Sequence, residues 1–479
     1  MPTAPPSRPR PGALLLTLCA AALLGACATP NAAGSLDPTG VVVPTAWSAG
    51  ASSTPSPATP LANWWQRFND PTLTALVTQS LQANPGVRSA QAALQQARAQ
   101  RDVQQANNGP SLSASGSAQR SRSGTADTSN RFQAGFDASW EPDIFGGNRA
   151  SLAASEAEAR ASETGLADVQ VSLAAEVAAS LIELRGLQSR LDIAQRNLAA
   201  QSETLQITRW RVQAGLASSL DLEQAVAAQA QTQAQIPALQ TSLAQARNSL
   251  SVLTGQAPGA LDATLGAVAP VPQPPADIAL SLPAETLRQR PDVRTAEHRI
   301  SAALARVAAA DAARYPSFRL SGSLGLSALT LGTLTDGASM VRSLLASVSA
   351  PLLDGGAAKA QVRAQEAALE QARASYASTV LTALQDVEDA LVAIQGDRER
   401  LARLQTAADA AVNAELLARQ RYQSGLIDFR TVLDTQRTLL SAQDSVASAQ
   451  TSLATGHVRL YKALGGGWTP DTAAPSAAR

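Results

Sequence analysis

Two stretches of the chain, about Asn148 to Val212 and Ala358 to Tyr422, carry apolar residues at heptad spacing. In the first, Val177, Leu184, Leu191, Leu198, Leu205 and Val212 fall seven residues apart. In the second, Val380, Leu384, Val387, Leu391, Ile394 and Leu401 step by three or four residues and finally by seven. Residues recurring at that interval form one stripe along a helix, the seam by which long helices pack side by side. Neither stretch contains proline, and both are dense in Ala, Leu, Gln, Glu and Arg, which favour helix. About 65 residues at about 1.5 Å each make a rod of roughly 95 Å. Such a rod suits a coiled coil, a stalk or a tunnel wall.

Elsewhere the period changes to two. Apolar and polar residues alternate through Phe132–Trp140, and Leu112, Ala114, Gly116 and Ala118 alternate with Ser111, Ser113, Ser115 and Ser117. Phe318, Leu320, Leu324 and Leu326 alternate in the same way with serines and Arg319, and a last strand carries Leu344, Ala346 and Val348. Strict alternation fits a hairpin with one face on a soluble core, and equally a membrane β-barrel with apolar residues toward lipid and small polar ones toward a wet lumen. Internal repetition favours the barrel. Pro110-Ser111 recurs as Pro316-Ser317 and Ser115-Gly116-Ser117 as Ser321-Gly322-Ser323, both at an offset of 206. Arg211-Val212-Gln213-Ala214-Gly215-Leu216 recurs as Arg421-Tyr422-Gln423-Ser424-Gly425-Leu426 at an offset of 210. The chain is thus predicted to be a tandem duplication of helix, β-hairpin, long helix and returning helix. Gly215 and Gly425 mark the hairpin tips, each followed by a leucine whose plain structural role would be burial at the helix end. Glu141-Pro142 and Ala350-Pro351 mark the bends from strand into long helix. Four strands cannot close a barrel, and open strand edges are not tolerated in lipid, so the barrel reading demands an oligomer.

Composition narrows the class. The 479 residues have a formal net charge of zero and only 3% aromatics, which gives no support for a nucleic-acid partner. Past the N-terminus no run of eighteen or more apolar residues predicts a helical membrane span. Arg8 and Arg10 followed by the apolar run Ala13–Ala26 read as a signal peptide over 1–26. It ends Leu24-Gly25-Ala26-Cys27, which resembles a lipoprotein cleavage box with Cys27 as the lipidated residue. A Pro/Ser/Thr-rich tether over 27–60 precedes the first repeat, 61–257. A Pro-rich connector, 258–283, leads to the second repeat, 284–467, and a tail, 468–479. No catalytic or cofactor-binding constellation stands out, and none for a metal. His298 and His457 lack ligand spacing, Asp386, Glu388 and Asp389 read as a wet helix face, and Gly465-Gly466-Gly467 lacks the context of a phosphate loop.

The Cys27 box, Trp64-Trp65 with Asp70-Pro71, the segment Tyr422-Gln423-Ser424-Gly425-Leu426 running to Leu433-Asp434, and Leu460-Tyr461-Lys462-Ala463-Leu464-Gly465-Gly466-Gly467-Trp468 resemble the outer-membrane factors of tripartite efflux pumps. These are the TolC-like channels, and the likeness is to their lipoprotein branch, typified by OprM. The resemblance implies a homotrimer with a shared twelve-stranded barrel in the outer membrane above a twelve-helix periplasmic tunnel. It implies as partners a periplasmic adaptor and an inner-membrane transporter, proton-driven in type, and an exit duct for small molecules. Tyr422 matches the family's gate tyrosine and Asp434 an aspartate of the constriction; Asp428 is a second acid, and Arg421 and Arg430 stand near the place of the family's gate arginine, where Ile427 departs from it. Ala214, Gly215 and Leu216, with Ser424, Gly425 and Leu426, match the adaptor-docking tips. Two alternatives stay open: a duct for secreted proteins on the same fold, and a lipidated periplasmic adaptor, which would carry one helical hairpin rather than two.

Overall fold

A 3₁₀ stretch, Leu61–Phe68, leads into α1 (Pro71–Ala83) and α2 (Pro85–Asn107). Each helix starts on a capping side chain followed by proline. Asp70 Oδ1 accepts the Leu73 amide at 3.0 Å and Asn84 Oδ1 the Gly86 amide at 2.7 Å, while Pro71 and Pro85 sit where no helical amide is needed. The computed structural model describes residues 44, 47, 61–122, 124, 127–274 and 287–469, all within the unit Val41–Arg479. Cys27, the leader, most of the tether, 275–286 of the connector region and the end of the tail lie outside the described residues.

The rest of the first repeat is β1 (Ser111–Ser121), β2 (Ser129–Trp140), α3 (Gly147–Gln213) and α4 (Ser219–Leu253). The second brings α5 (Pro291–Ala312), β3 (Ser317–Ala328), β4 (Met340–Ser349), α6 (Ala357–Gln423) and α7 (Phe429–Ala463). Both long helices have 67 residues and both returning helices 35, so the two helical hairpins match in length. At about 1.5 Å per residue each long helix runs about 100 Å. The chain carries two helical hairpins, where the adaptor alternative required one.

The four strands form one antiparallel sheet in chain order, β2 pairing with β3 across the repeats. Its register sorts the side chains. Phe136 lies opposite Ala114 and Leu324, whereas Asp137 lies opposite Ser113 and Ser323, so one face is apolar and the other hydroxyl-rich. The apolar face is uncovered, with Leu344 79% and Val348 64% exposed. A row of that kind fits lipid, since in water it would be a large sticky patch. β1 and β4 are the open edges.

Along the helices the heptad positions pack as the spacing predicts: Val177, Leu184, Leu205, Val380, Val387 and Ile394 are buried. α3 is more apolar than expected. It contains a window of mean hydropathy 1.4, long and apolar enough by composition to cross a membrane, yet half of that window is buried inside the chain. The reason is its neighbours: α3 packs against α2, α4, α5 and α7, so several of its faces carry Ala and Leu.

The main core lies where the two ends of the described chain meet. Trp64 stacks on Tyr461 at 5.2 Å between ring centres, with Trp65 and Phe68 edge-on. The triple glycine is the joint beside it: Gly465 turns α7 off at φ 73°, and the Gly466 and Gly467 amides donate to the Tyr461 and Leu61 carbonyls at 2.9 Å each. Asp386 is exposed, as a wet helix face would have it, but it also has a partner. It accepts at 3.1 Å from the buried Arg290, which also binds Asp292 and the Ala463 carbonyl at the end of α7.

Candidate functional site at the hairpin ends

Each long helix ends on a left-handed glycine. At the first tip the Gly215 amide donates to Val212 and the Leu216 amide to the Arg211 carbonyl, at 3.0 and 2.7 Å. At the second, Gly425 and Leu426 donate to Tyr422 and Arg421 at 3.0 and 2.9 Å. Both glycines have φ 74°, which a side chain would strain. The leucine that follows is not buried, as a plain helix ending would have it. Leu216 is 71% and Leu426 74% exposed, with Ala214 and Ser424 exposed beside them. The turn itself satisfies the carbonyls, which leaves the leucines free on the surface.

The returning helices begin on caps. Ser218 and Asp221 exchange hydrogen bonds with each other's amides at 3.1 Å. Asp428 caps α7, taking the Thr431 amide at 3.0 Å and its hydroxyl. This second acid of the sequence reading is therefore bound within its own turn. Those two donors hold its carboxyl below the ordinary value. A depressed carboxylate contributes stability above its unfolded pKa of about 3.9, and that stability is lost as pH falls through the lower folded value. Hydrogen exchange in the first turn of α7, corrected for intrinsic rate, should hold steady from neutral pH down to about 4 and accelerate below it. The same acid step in Asp428→Asn would show that another group causes it.

Tyr422 lies at the junction of the two hairpins. Its ring packs on Phe429 at 5.4 Å beside Leu205, Leu222 and Leu433. Burial pushes its phenol up, opposed by Arg211 and reinforced by Asp221, with Thr208 also bonded to it. The cation over the ring is Arg211 of α3, its guanidinium carbon 4.5 Å from the ring centre and Nη1 3.4 Å from the Tyr422 carbonyl. The family resemblance points instead to Arg421 or Arg430 for this place. Arg421 is exposed, and Arg430 lies 3.9 Å from Asp434 one turn on, both largely in solvent. A pair so exposed is worth little on its own.

Arg211 is the lowest rung of a ladder between α3 and the second hairpin. Above it Thr204 accepts from Gln436 at 3.0 Å, Asn197 donates to Gln443 at 3.0 Å, and Arg190 holds Asp444 with two bonds of 2.7 and 3.2 Å. The ladder ends where Gly186 meets Thr451: a β-carbon there would stand 2.2 Å from the threonine Oγ1. Positions 190, 197, 204 and 211 are a polar heptad one residue ahead of the leucine heptad. That offset was the signal in the sequence; only the fold names the partners.

Among the described residues no group of three or more His, Cys, Asp or Glu gathers as a metal site. His457 is buried, with Nδ1 2.8 Å from the Leu453 carbonyl oxygen and Nε2 3.3 Å from Arg398.

The family described as outer membrane efflux protein matches residues 76–256 and 282–466. The outer membrane protein OprJ of Pseudomonas aeruginosa is 30% identical over 464 residues, covering 95% of each chain. The pyoverdine export outer membrane protein OpmQ of Pseudomonas putida is 33% identical, covering 93% of this chain and 96% of its own. Among solved structures, the outer-membrane channel OprN superposes with a TM-score of 0.85 at 36% identity, over 90% of this chain and 98% of that one. The open-state Neisseria gonorrhoeae MtrE outer membrane channel gives 0.81 at 29%, over 90% and 96%. With both of its repeats matched and relatives alike along nearly their whole length, the chain belongs to the outer membrane efflux proteins, channels that form trimers, span the outer membrane into the periplasm and work with an adaptor and an inner-membrane transporter.

Proposed function

We propose that this channel is the exit duct for small organic toxicants, shut at its hairpin ends by the ladder that joins α3 to the second hairpin. The observation that carries the reading is Arg211 on Tyr422, which ties the tip of one hairpin to the other. The relatives' names supply the cargo class: antibiotics for ArpC, toluene for TtgC and pyoverdine for OpmQ. Lipid on Cys27 anchors the mature chain, several acyl chains giving a firm hold at about 0.8 kcal/mol per buried CH₂. The adaptor docks at Ala214, Gly215, Leu216, Ser424, Gly425 and Leu426, where exposed leucines offer an apolar grip. A proton-driven transporter supplies the energy. Asp434, with Arg430 beside it, lines the constriction, where acids from three copies repel and favour opening once the ladder is released.

The test is single-channel conductance of the purified protein in planar bilayers. A cation–π contact is worth about 0.5–1 kcal/mol at such a site. Over three copies, Arg211→Ala should shift the closed–open balance by about ten- to a hundredfold. Arg211→Lys should retain part of the closure. Unchanged gating in Arg211→Ala would sink this lock, and absence of any channel would sink the duct. In cells, loss of the protein should raise accumulation of dyes and antibiotics.

A further inference from the structure

The two repeats meet inside the chain at a joint that the second repeat should make again with another copy. After β2 the loop Pro142–Gly147 lies against the end of α5 and the start of β3, and together they line a cleft of about 550 Å³, with Ala309, Ala312, Tyr315 and Phe318 on the far side from the loop. Phe145 stacks on Tyr315 at 4.9 Å and lies 6.4 Å from Phe318, and a β-carbon on Gly147 would come within 3.3 Å of the Ala312 methyl. β2 pairs with β3 directly above this joint.

The matching loop after β4, Pro351–Gly356, packs against nothing comparable. Leu352 and Leu353 are each 96% exposed. They are also held in place: Asp354 accepts the Gly356 and Ala358 amides at 2.8 Å each, which pins the loop to the start of α6. The matching notch, read off the repeat offset of 206, is Val103, Ala106, Gly109 and Leu112 at the end of α2 and the start of β1. Val103 and Leu112 are exposed large apolar residues there, and β1 and β4, the strands beside notch and loop, are the sheet's open edges. The sizes complement one another. Where the inner joint sets Phe145 against Tyr315, the outer one has two leucines and, in place of the tyrosine, Gly109.

We propose that Leu352 and Leu353 of one copy seat on Val103, Ala106 and Leu112 of the next, so that each joint between chains repeats the joint between repeats. The occupant is a second copy because one set of groups is left over at each edge of the sheet: β4 with its loop at one, β1 with its notch at the other. A head-to-tail contact of this kind closes a ring when the rotation allows. The proposal rests on the trimeric-channel reading and adds to it the side chains that lock the base of the barrel.

Cysteine pairs test it in the full-length protein in membranes. The chain's own cysteines, Cys19 and Cys27, both precede the first repeat. Leu353→Cys with Val103→Cys, and Leu352→Cys with Ala106→Cys as a second pair, should give a ladder of two- and three-chain species on oxidation. The four single variants should give none. If neither pair crosslinks while the detergent-corrected mass stays at three chains, the proposed seating is overturned and the trimer stands. A mass of one chain would overturn both. A fluorescent probe attached to the single variant Leu353→Cys and quenched strongly by brominated lipid would place the leucines in the bilayer and overturn the seating as well.

Discussion

Valine at Gly325 keeps the two halves of the sheet apart, and the protein fails to assemble. Gly325 and Gly135 face each other across the β2–β3 seam on the polar face. A β-carbon on Gly325 would stand 2.7 Å from the Ala134 carbonyl oxygen and 2.9 Å from the Gly135 Cα, and one on Gly135 would stand 2.8 Å from the Gly325 Cα. These obstacles are backbone, so no rotamer change relieves them. Overpacking usually costs about 1–3 kcal/mol, and here the strands themselves must part, so about 3 kcal/mol or more per copy is expected. The seam is the one that joins the two repeats, and each of three copies carries it. SDS-resistant trimer and detergent-corrected mass report the loss. Ser323→Val, two residues away on the same face, is the control: it gives up a 2.8 Å bond to Ser343 but suits a strand. Normal trimers from Gly325→Val would mean that β2 and β3 do not pair in this register.

Trp64→Ala should be the most damaging change outside the sheet. Trp64 is fully buried, stacked on Tyr461 and flanked by Trp65 and Phe68. Removing a buried tryptophan costs about 3–5 kcal/mol. A domain's whole stability is about 5–15 kcal/mol. The loss falls at a vulnerable place, because this stack and the Gly467–Leu61 bond hold the start of the first repeat to the end of the second. Thermal melting of the extracted protein and its steady-state abundance should both fall steeply. Trp64→Phe keeps a ring on Tyr461 and should lose markedly less. A drop in Tm of only a degree or two for the alanine variant would show that the two ends are held elsewhere.

Much of this architecture is legible without coordinates because it rests on period. Heptad leucines need a neighbouring helix, strict alternation needs two unlike environments, and repeated motifs at offsets near 206 and 210 need repeated structure. Proline and glycine mark where elements end, since each acts on its own backbone. The tips, the bends and the strand faces therefore follow from local rules. So do the positions of Tyr422 and Asp434 at a hairpin end.

The partners do not follow. Arg211 reaches Tyr422 across 211 positions of sequence, and Arg190 reaches Asp444 across 254. Arg421 and Arg430, nearer to the tyrosine in sequence, stand away from its ring face. Asp428 also caps its own helix, a role set by whichever donors the turn places at about 3 Å. Asp386 reads as solvated and is exposed, yet from the surface it also holds a buried arginine that its sequence neighbours do not reveal. Which face of each element is apolar, and where each element stops, is written in the order of the residues, because both depend on neighbours a few positions away. Which polar groups meet is settled by the packing of distant segments, because a hydrogen bond depends on a separation of about 3 Å that no spacing along a single helix encodes.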